Sequence, residues 1–145
     1  SKALPYQHFA NADEALIAMY QREMTMLAQA IFAAASPLAD PDARVAAAIS
    51  AYFDVLAERG RILAVLSPFA AAADDGGRAG VIFVADLLIR PYGVTGRRAP
   101  AIASVCLGAV TGATQSWVAG DVSRATIEKT LTTAVIAAIH ALLAP

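Results

Sequence analysis

The chain has 145 residues, enough for one domain with a sizeable core. Hydrophobic residues make up 58% and charged residues 16%, so a small helical domain of this composition needs a second helical surface, an internal ligand cavity or a membrane to cover the excess. A net charge of −1 argues against this chain itself gripping nucleic acid, and the single Cys106 excludes an internal disulfide framework and fits a reducing, cytoplasmic setting.

Alanine dominates, and β-branched and aromatic residues are scattered rather than alternating with polar ones, which favours helix over strand. Ser1 to Pro5 has no helix start signal and Ser1 to Phe9 no secretory pattern, so the chain reads as a fragment beginning inside an element. Tyr6-Gln7-His8-Phe9 then forms a short aromatic plug before a clear start. Asn11 accepts from the free N–H groups of the next turn, and Glu14, three residues on, reaches back to it. Asp13 and Glu14 place negative charge on the positive end of the helix dipole. Leu16, Tyr20, Met24, Leu27 and Ile31 follow at spacings of three and four, predicting a helix over 12–35 that ends before Ser36-Pro37.

Asp40 as cap, Pro41 at the first helical position and Asp42 in the first turn start the next helix. Its stripe is Val45, Ile49, Tyr52, Phe53 and Leu56, and Gly60 is its predicted stop. Ile62, Leu63, Leu66 and Phe69 predict a short separate helix over 61–70, ended near Pro68. Asp74-Asp75-Gly76-Gly77 is the strongest loop signal. Val81, Val84, Leu87 and Leu88 then predict a helix over 78–90. The run Val81-Ile82-Phe83-Val84 resembles a buried strand but has no partner strand. Pro91-Tyr92-Gly93 ends that helix. Two more close the chain, over 100–118 and, with Ser123 as cap, 124–143.

Ala99 to Gly120 is 22 residues without a charge, long enough to span a bilayer. It contains Pro100, Ser104, Thr111, Thr114, Gln115, Ser116 and three glycines but few large aliphatics, so a buried soluble helix is the better reading.

Gly108, Gly112 and Ser116 form a ridge of small residues at intervals of four, and Ile102, Cys106, Val110, Ala113 and Trp117 form an apolar stripe. The last helix carries Ile127, Leu131, Val135, Ile139 and Leu142 on one face and Ile136, His140 and Leu143 on another. Two helices apolar on more than one face read either as the central helices of the core or as a homodimer seam, a four-helix bundle with two helices from each protomer. The seam reading assigns to the interface Cys106, Gly108, Gly112, Ser116, Leu131, Val135, Ile139 and Leu142.

The inner stripes also carry Tyr20, Met24, Tyr52, Phe53, Leu56, Phe69, Phe83, Leu87 and Trp117. They are candidates for an apolar pocket with a few polar tips, and ordinary core packing is the competing reading. His8 and His140 have no partners at metal-ligand spacing, Cys106 has no nearby base, no serine sits in a nucleophile elbow, and Gly76-Gly77 lacks the lysine of a phosphate loop. No set of residues makes an enzyme, and none implies a cofactor or metal.

Ser1-Lys2, Tyr6-Gln7-His8-Phe9, Asp13-Glu14 and Leu16 resemble the junction in tetracycline-repressor (TetR) family regulators, where the recognition helix of a helix-turn-helix passes into the long fourth helix. The tail Trp117-Val118-Ala119-Gly120-Asp121-Val122-Ser123 and the striped helix after it resemble that family's last two helices. The resemblance implies an all-α TetR-like C-terminal domain of about six helices plus the end of a recognition helix, its last two helices forming a dimeric four-helix bundle. Residues 1–10 would be the end of the DNA-binding domain, the remainder missing, and 11–145 the ligand-binding and dimerisation domain. By position Lys2 and Tyr6 match residues that face the DNA backbone, whereas Ala12 stands where the family often has lysine and Pro5 where an aromatic or leucine usually precedes the tyrosine.

The implied function is a ligand-responsive transcription regulator, most often a repressor. It would be a cytoplasmic homodimer, outside the membrane, that takes a small hydrophobic or amphipathic effector and reaches operator DNA through its missing N-terminal domain. A helical protein–protein interaction module without a small-molecule ligand is the alternative, and a membrane-associated helical protein a more distant one.

Overall fold

In the computed structural model, which describes residues 10–73 and 77–144, helix α1 (Ala12–Ala35) starts where Asn11 accepts a 2.9 Å hydrogen bond from the Glu14 N–H. The Glu14 carboxylate accepts in turn from the Ala10 N–H at 2.8 Å, one residue before the expected partner. The aromatic plug, including His8, and the DNA-facing candidates Lys2 and Tyr6 lie outside the described residues.

Helix α2 (Pro41–Leu66) is capped by Asp40, which accepts from the Ala43 N–H at 3.0 Å. It runs unbroken through Gly60, so the two helices expected over 41–60 and 61–70 are largely one. A helix-interior glycine costs about 1 kcal/mol relative to alanine, which the straight-chain helix formers around it, Glu58, Arg59 and Arg61, offset. The helix stops where Pro68 cannot donate, and the chain passes through a 3₁₀ turn (Ser67–Phe69) into the single helical turn α3 (Ala70–Ala73).

Helix α4 (Arg78–Val84) contains the strand-like run and is helical throughout. It widens into a π turn over Ala85–Ile89, tightens to a 3₁₀ turn over Arg90–Tyr92, and ends at Gly93, whose φ of +84° suits a residue without Cβ. Ala85, Leu87 and Ile89 are all buried, and this one short segment serves two clusters. Ala85 and Ile89 enter the main core, while Leu87 packs with Ala35 and Ala48 against Ile31 and Phe83. Arg44 fastens this corner by donating to the carbonyls of Leu38 (2.5 Å), Ser36 (3.4 Å) and, in the π turn, Leu87 (3.4 Å).

Helix α5 (Arg98–Val118) starts two residues before Pro100, because a proline in the first turn forfeits no intrahelical bond. Gly120 ends it at φ +82°, donating to the Trp117 carbonyl while the Asp121 N–H donates to that of Ser116, the paired bonds of a Schellman stop. Helix α6 (Arg124–Leu143) follows with Ser123 as cap. The guanidinium of Arg98 donates to the Leu142 carbonyl, which brings the start of α5 to the end of α6. The fold is all-α, and no strand occurs among the described residues.

The main core joins Val45, Ile49 and Phe53 of α2 to Ile102, Ala103 and Cys106 of α5 and to Leu131, Val135 and Ile139 of α6. On α1 only Glu23, Leu27 and Ala35 are buried.

Candidate functional site

The pocket candidates fall into two groups with different surroundings. Tyr52, Phe53 and Trp117 form one aromatic column between α2 and α5. Phe53 is fully buried and meets Tyr52 edge-on at 5.5 Å and Trp117 edge-on at 5.4 Å between ring centroids. The Tyr52 hydroxyl is 2.9 Å from that of Thr114, which itself donates to the Val110 carbonyl. Burial pushes the Tyr52 phenol pKa up, and the Thr114 bond offsets part of that rise. In this column each ring is the wall of the next, and the one hydroxyl is satisfied.

Phe83 and Leu87 sit apart, in the second cluster under the C-terminal half of α1. Leu88 packs against both clusters. Tyr20, Leu56 and Phe69 are half-buried, and Met24 is exposed. The nine candidates therefore do not converge on one point: Tyr52, Phe53 and Trp117 belong to the main core, and Phe83 and Leu87 to the second cluster.

The residues assigned to a seam divide by burial. Cys106, Leu131, Val135 and Ile139 are buried in the protomer's own core, in one cluster with residues of α2 and of the Ala85–Ile89 turn, and so are not available to a second chain. Burial raises the Cys106 thiol pKa, as befits a packed side chain. Gly108 and Gly112 are exposed, Ser116 is half-buried, and Leu142 is exposed at the end of α6. The outward face of α5 also carries Ala101, Ser104, Val105 and Ala109. That of α6 carries Thr130, Thr133, Ala134, Ala137 and Ala141. An open hollow along α6 is lined by Lys129, Thr130, Thr133, Ala134 and Ala137, all from that one helix.

Both helices are long and apolar enough, by length and composition, to cross a membrane, yet only 17% of the most apolar window of each is buried. Much of their apolar length therefore faces outward. Neither glycine of α5 is required by the protomer, since no atom lies within 4 Å of a Cβ built at Gly108 or Gly112. The hydroxyls of Ser104, Thr111 and Thr133 donate back to the carbonyls of Pro100, Leu107 and Lys129 at 2.9–3.0 Å. They are satisfied without water or a partner.

Three polar constellations tie separate helices together. Arg59 of α2 grips Glu23 of α1 through two bonds, Nε to Oε2 at 2.5 Å and Nη2 to Oε1 at 2.6 Å. These bonds hold the Glu23 carboxyl below its ordinary pKa against the opposing effect of burial. Arg124 of α6 bonds Asp54 of α2 at 2.5 Å and Glu128 at 3.2 Å.

The third constellation centres on Asp42. It accepts from the Tyr92 hydroxyl at 2.6 Å and meets His140 Nε2 at 3.0 Å, while the Tyr92 and His140 rings stand edge-to-face at 5.6 Å. The Tyr92 bond, then that of His140, lowers the Asp42 pKa; burial and that same bond raise the pKa of Tyr92. The three residues tie the start of α2 to the turn after α4 and to the end of α6. No group of three His, Cys, Asp or Glu side chains among the described residues could hold a metal.

Comparison with family models, curated proteins and solved structures returns no match.

Proposed function

We propose that the chain is the ligand-binding and dimerisation domain of a TetR-like one-component transcription regulator, a cytoplasmic homodimer that reaches operator DNA through a domain preceding Ser1. The observation that carries this reading is the outward face of α5 and α6. Gly108 and Gly112 each cost about 1 kcal/mol relative to alanine in a helix, and nothing inside the protomer calls for them. Small residues one turn apart let a second helix approach closely.

The dimensions support a partner of the same kind. A 21-residue helix is about 31 Å long at 1.5 Å per residue, and two helices packed 8–10 Å apart make a face about 20 Å wide. Its plan area of about 600 Å² corresponds, once side-chain relief is added, to the roughly 800 Å² that each partner buries in a stable interface. The self-bonded hydroxyls of Ser104, Thr111 and Thr133 enter such a seam without losing a partner. A lipid-facing helix would turn its large aliphatics outward. Here Ile102, Leu131, Val135 and Ile139 point inward, and Val105, Val118 and Leu142 are the large apolar residues on an outward face that otherwise carries small ones such as Gly108, Ala109, Gly112, Ala134 and Ala137, which favours a helix neighbour over a bilayer.

The effector in this reading is a small hydrophobic or amphipathic molecule entering between α1, α2 and α4, where Phe83 and Leu87 pack under α1. It acts by favouring one placement of α1 over another, because a ligand shifts an equilibrium only through differential affinity. Operator half-sites lie about 34–36 Å apart or a multiple of that, so small changes in the spacing of two attached DNA-binding heads matter.

The mutual packing of Tyr52, Phe53 and Trp117 favours a second reading, a helical protein–protein interaction module with no small-molecule ligand. A thermal-shift screen of apolar and amphipathic small molecules separates the two. A ligand at a hundred times its Kd adds about 2.7 kcal/mol to stability, a rise of about 8 °C for a chain of this length. No rise across such a screen would favour the interaction module.

A further inference from the structure

Helix α1 is docked unevenly along its length. Its three buried residues are Glu23, Leu27 and Ala35, so from Ala12 to Arg22 no residue is buried, while beyond Glu23 the helix carries Leu27 into the body and Ala35 into the second cluster. At the border stands the one charged side chain buried among the described residues, Glu23, held by two bonds from Arg59. One side-chain bond from the N-terminal part to the body is of a different kind: Gln21 Nε2 donates to the carbonyl of Ala73, the last residue of the single-turn α3, at 3.1 Å in an exposed setting.

A bidentate guanidinium–carboxylate pair is directional. It fixes rotation and register at one point of a helix, whereas apolar contacts permit sliding. Met19, Met24 and Met26 flank the pair and are exposed, and their unbranched side chains can remake contact at more than one geometry.

We infer that the Glu23–Arg59 pair divides α1 into two parts that open independently: it pins the register of the helix on α2, and the stretch 12–22 unfastens from the body while 27–35 stays docked. Local opening of this kind follows from unequal burial along one element, with the least buried stretch opening at the lowest free energy. The inference concerns the helix alone and stands apart from the regulator reading.

Hydrogen exchange by mass spectrometry on the full chain tests it, comparing peptides over 12–22 with peptides over 27–35. In the parent the first set exchanges faster than the second. In Glu23→Leu/Arg59→Met, which removes the pair but keeps apolar volume, exchange over 12–22 rises about tenfold or more and that over 27–35 is unchanged. The charge-exchanged double variant Glu23→Arg/Arg59→Glu restores most of the protection over 12–22. Equal protection of both stretches in the parent, an equal loss over both in the apolar variant, or no recovery in the charge-exchanged variant would overturn the inference. If the apolar variant does not fold, the parent pattern and the charge-exchanged variant decide.

Discussion

Replacing Phe53 with leucine tests the aromatic column most sharply, because the substitution keeps an apolar side chain and removes only the ring. Phe53 is fully buried and makes two edge-to-face contacts, with Tyr52 and Trp117. Each such pair contributes about 0.5–1.5 kcal/mol beyond area burial, so Phe53→Leu should cost about 2 kcal/mol. Phe53→Ala, which also opens a cavity, should cost about 4 kcal/mol. At about 2.1 cal/mol/K of unfolding entropy per residue, a 145-residue chain loses about 3 °C of Tm for each kcal/mol, so the leucine variant should melt about 6 °C lower. Tyr52→Phe is the control. It keeps both rings and removes one hydroxyl, for about 1 kcal/mol. Trp117 is the single tryptophan, so its fluorescence reports from the column itself during urea unfolding. Protein concentration is held fixed, since association would make Tm depend on it. A shift below about 1 °C for Phe53→Leu with unchanged Trp117 emission would refute the packing argument and reopen the column as a ligand site.

Two further changes probe separate parts of the fold. Gly60→Ala should stabilise the chain by about 0.5–1 kcal/mol, because Gly60 lies inside continuous helix α2 with no atom within 4 Å of an added Cβ; calorimetry showing a loss would mean that the helix breaks there. Asp42 is held below its ordinary carboxylate pKa, chiefly by Tyr92, so its contribution is complete above its unfolded value of about 3.9 and is lost as pH falls through the folded one. Urea unfolding between pH 6 and about 2.5 should therefore show a smaller fall in stability for Asp42→Asn than for the parent, and parallel curves would contradict the assignment.

Local signals in the sequence were strong where they acted alone. The Asn11, Asp40 and Ser123 caps fix the starts of α1, α2 and α6, and the bounds of α1 and α6 agree with the periodic stripes. Gly60 misled because a glycine stops a helix only when the chain turns into left-handed geometry after it, as it does at Gly93 and Gly120 but not at Gly60. The π turn at Ala85–Ile89 has no counterpart in the stripe Val81, Val84, Leu87 and Leu88, which follows ordinary helical spacing.

Helices α5 and α6 show the same boundary. Periodicity marked α5 and α6 as apolar on more than one face without saying which face turns inward. Packing resolves it: Leu131, Val135 and Ile139 fill the core, and Val105, Gly108, Gly112 and Leu142 are left outside. The partners Glu23–Arg59 and Asp42–Tyr92–His140 lie dozens of residues apart, beyond the reach of any spacing rule.

The outward face of α5 and α6 is also open to direct test. Val135→Glu would unfold the protomer and so cannot report on a seam, whereas Gly112→Leu and Ala137→Glu change only exposed positions. Sedimentation velocity on the parent and these two variants, with helicity checked by circular dichroism, is the most direct measurement. A seam on this face makes the parent a dimer and both variants folded monomers. A monomeric parent, or a dimer undiminished by both substitutions, would contradict it.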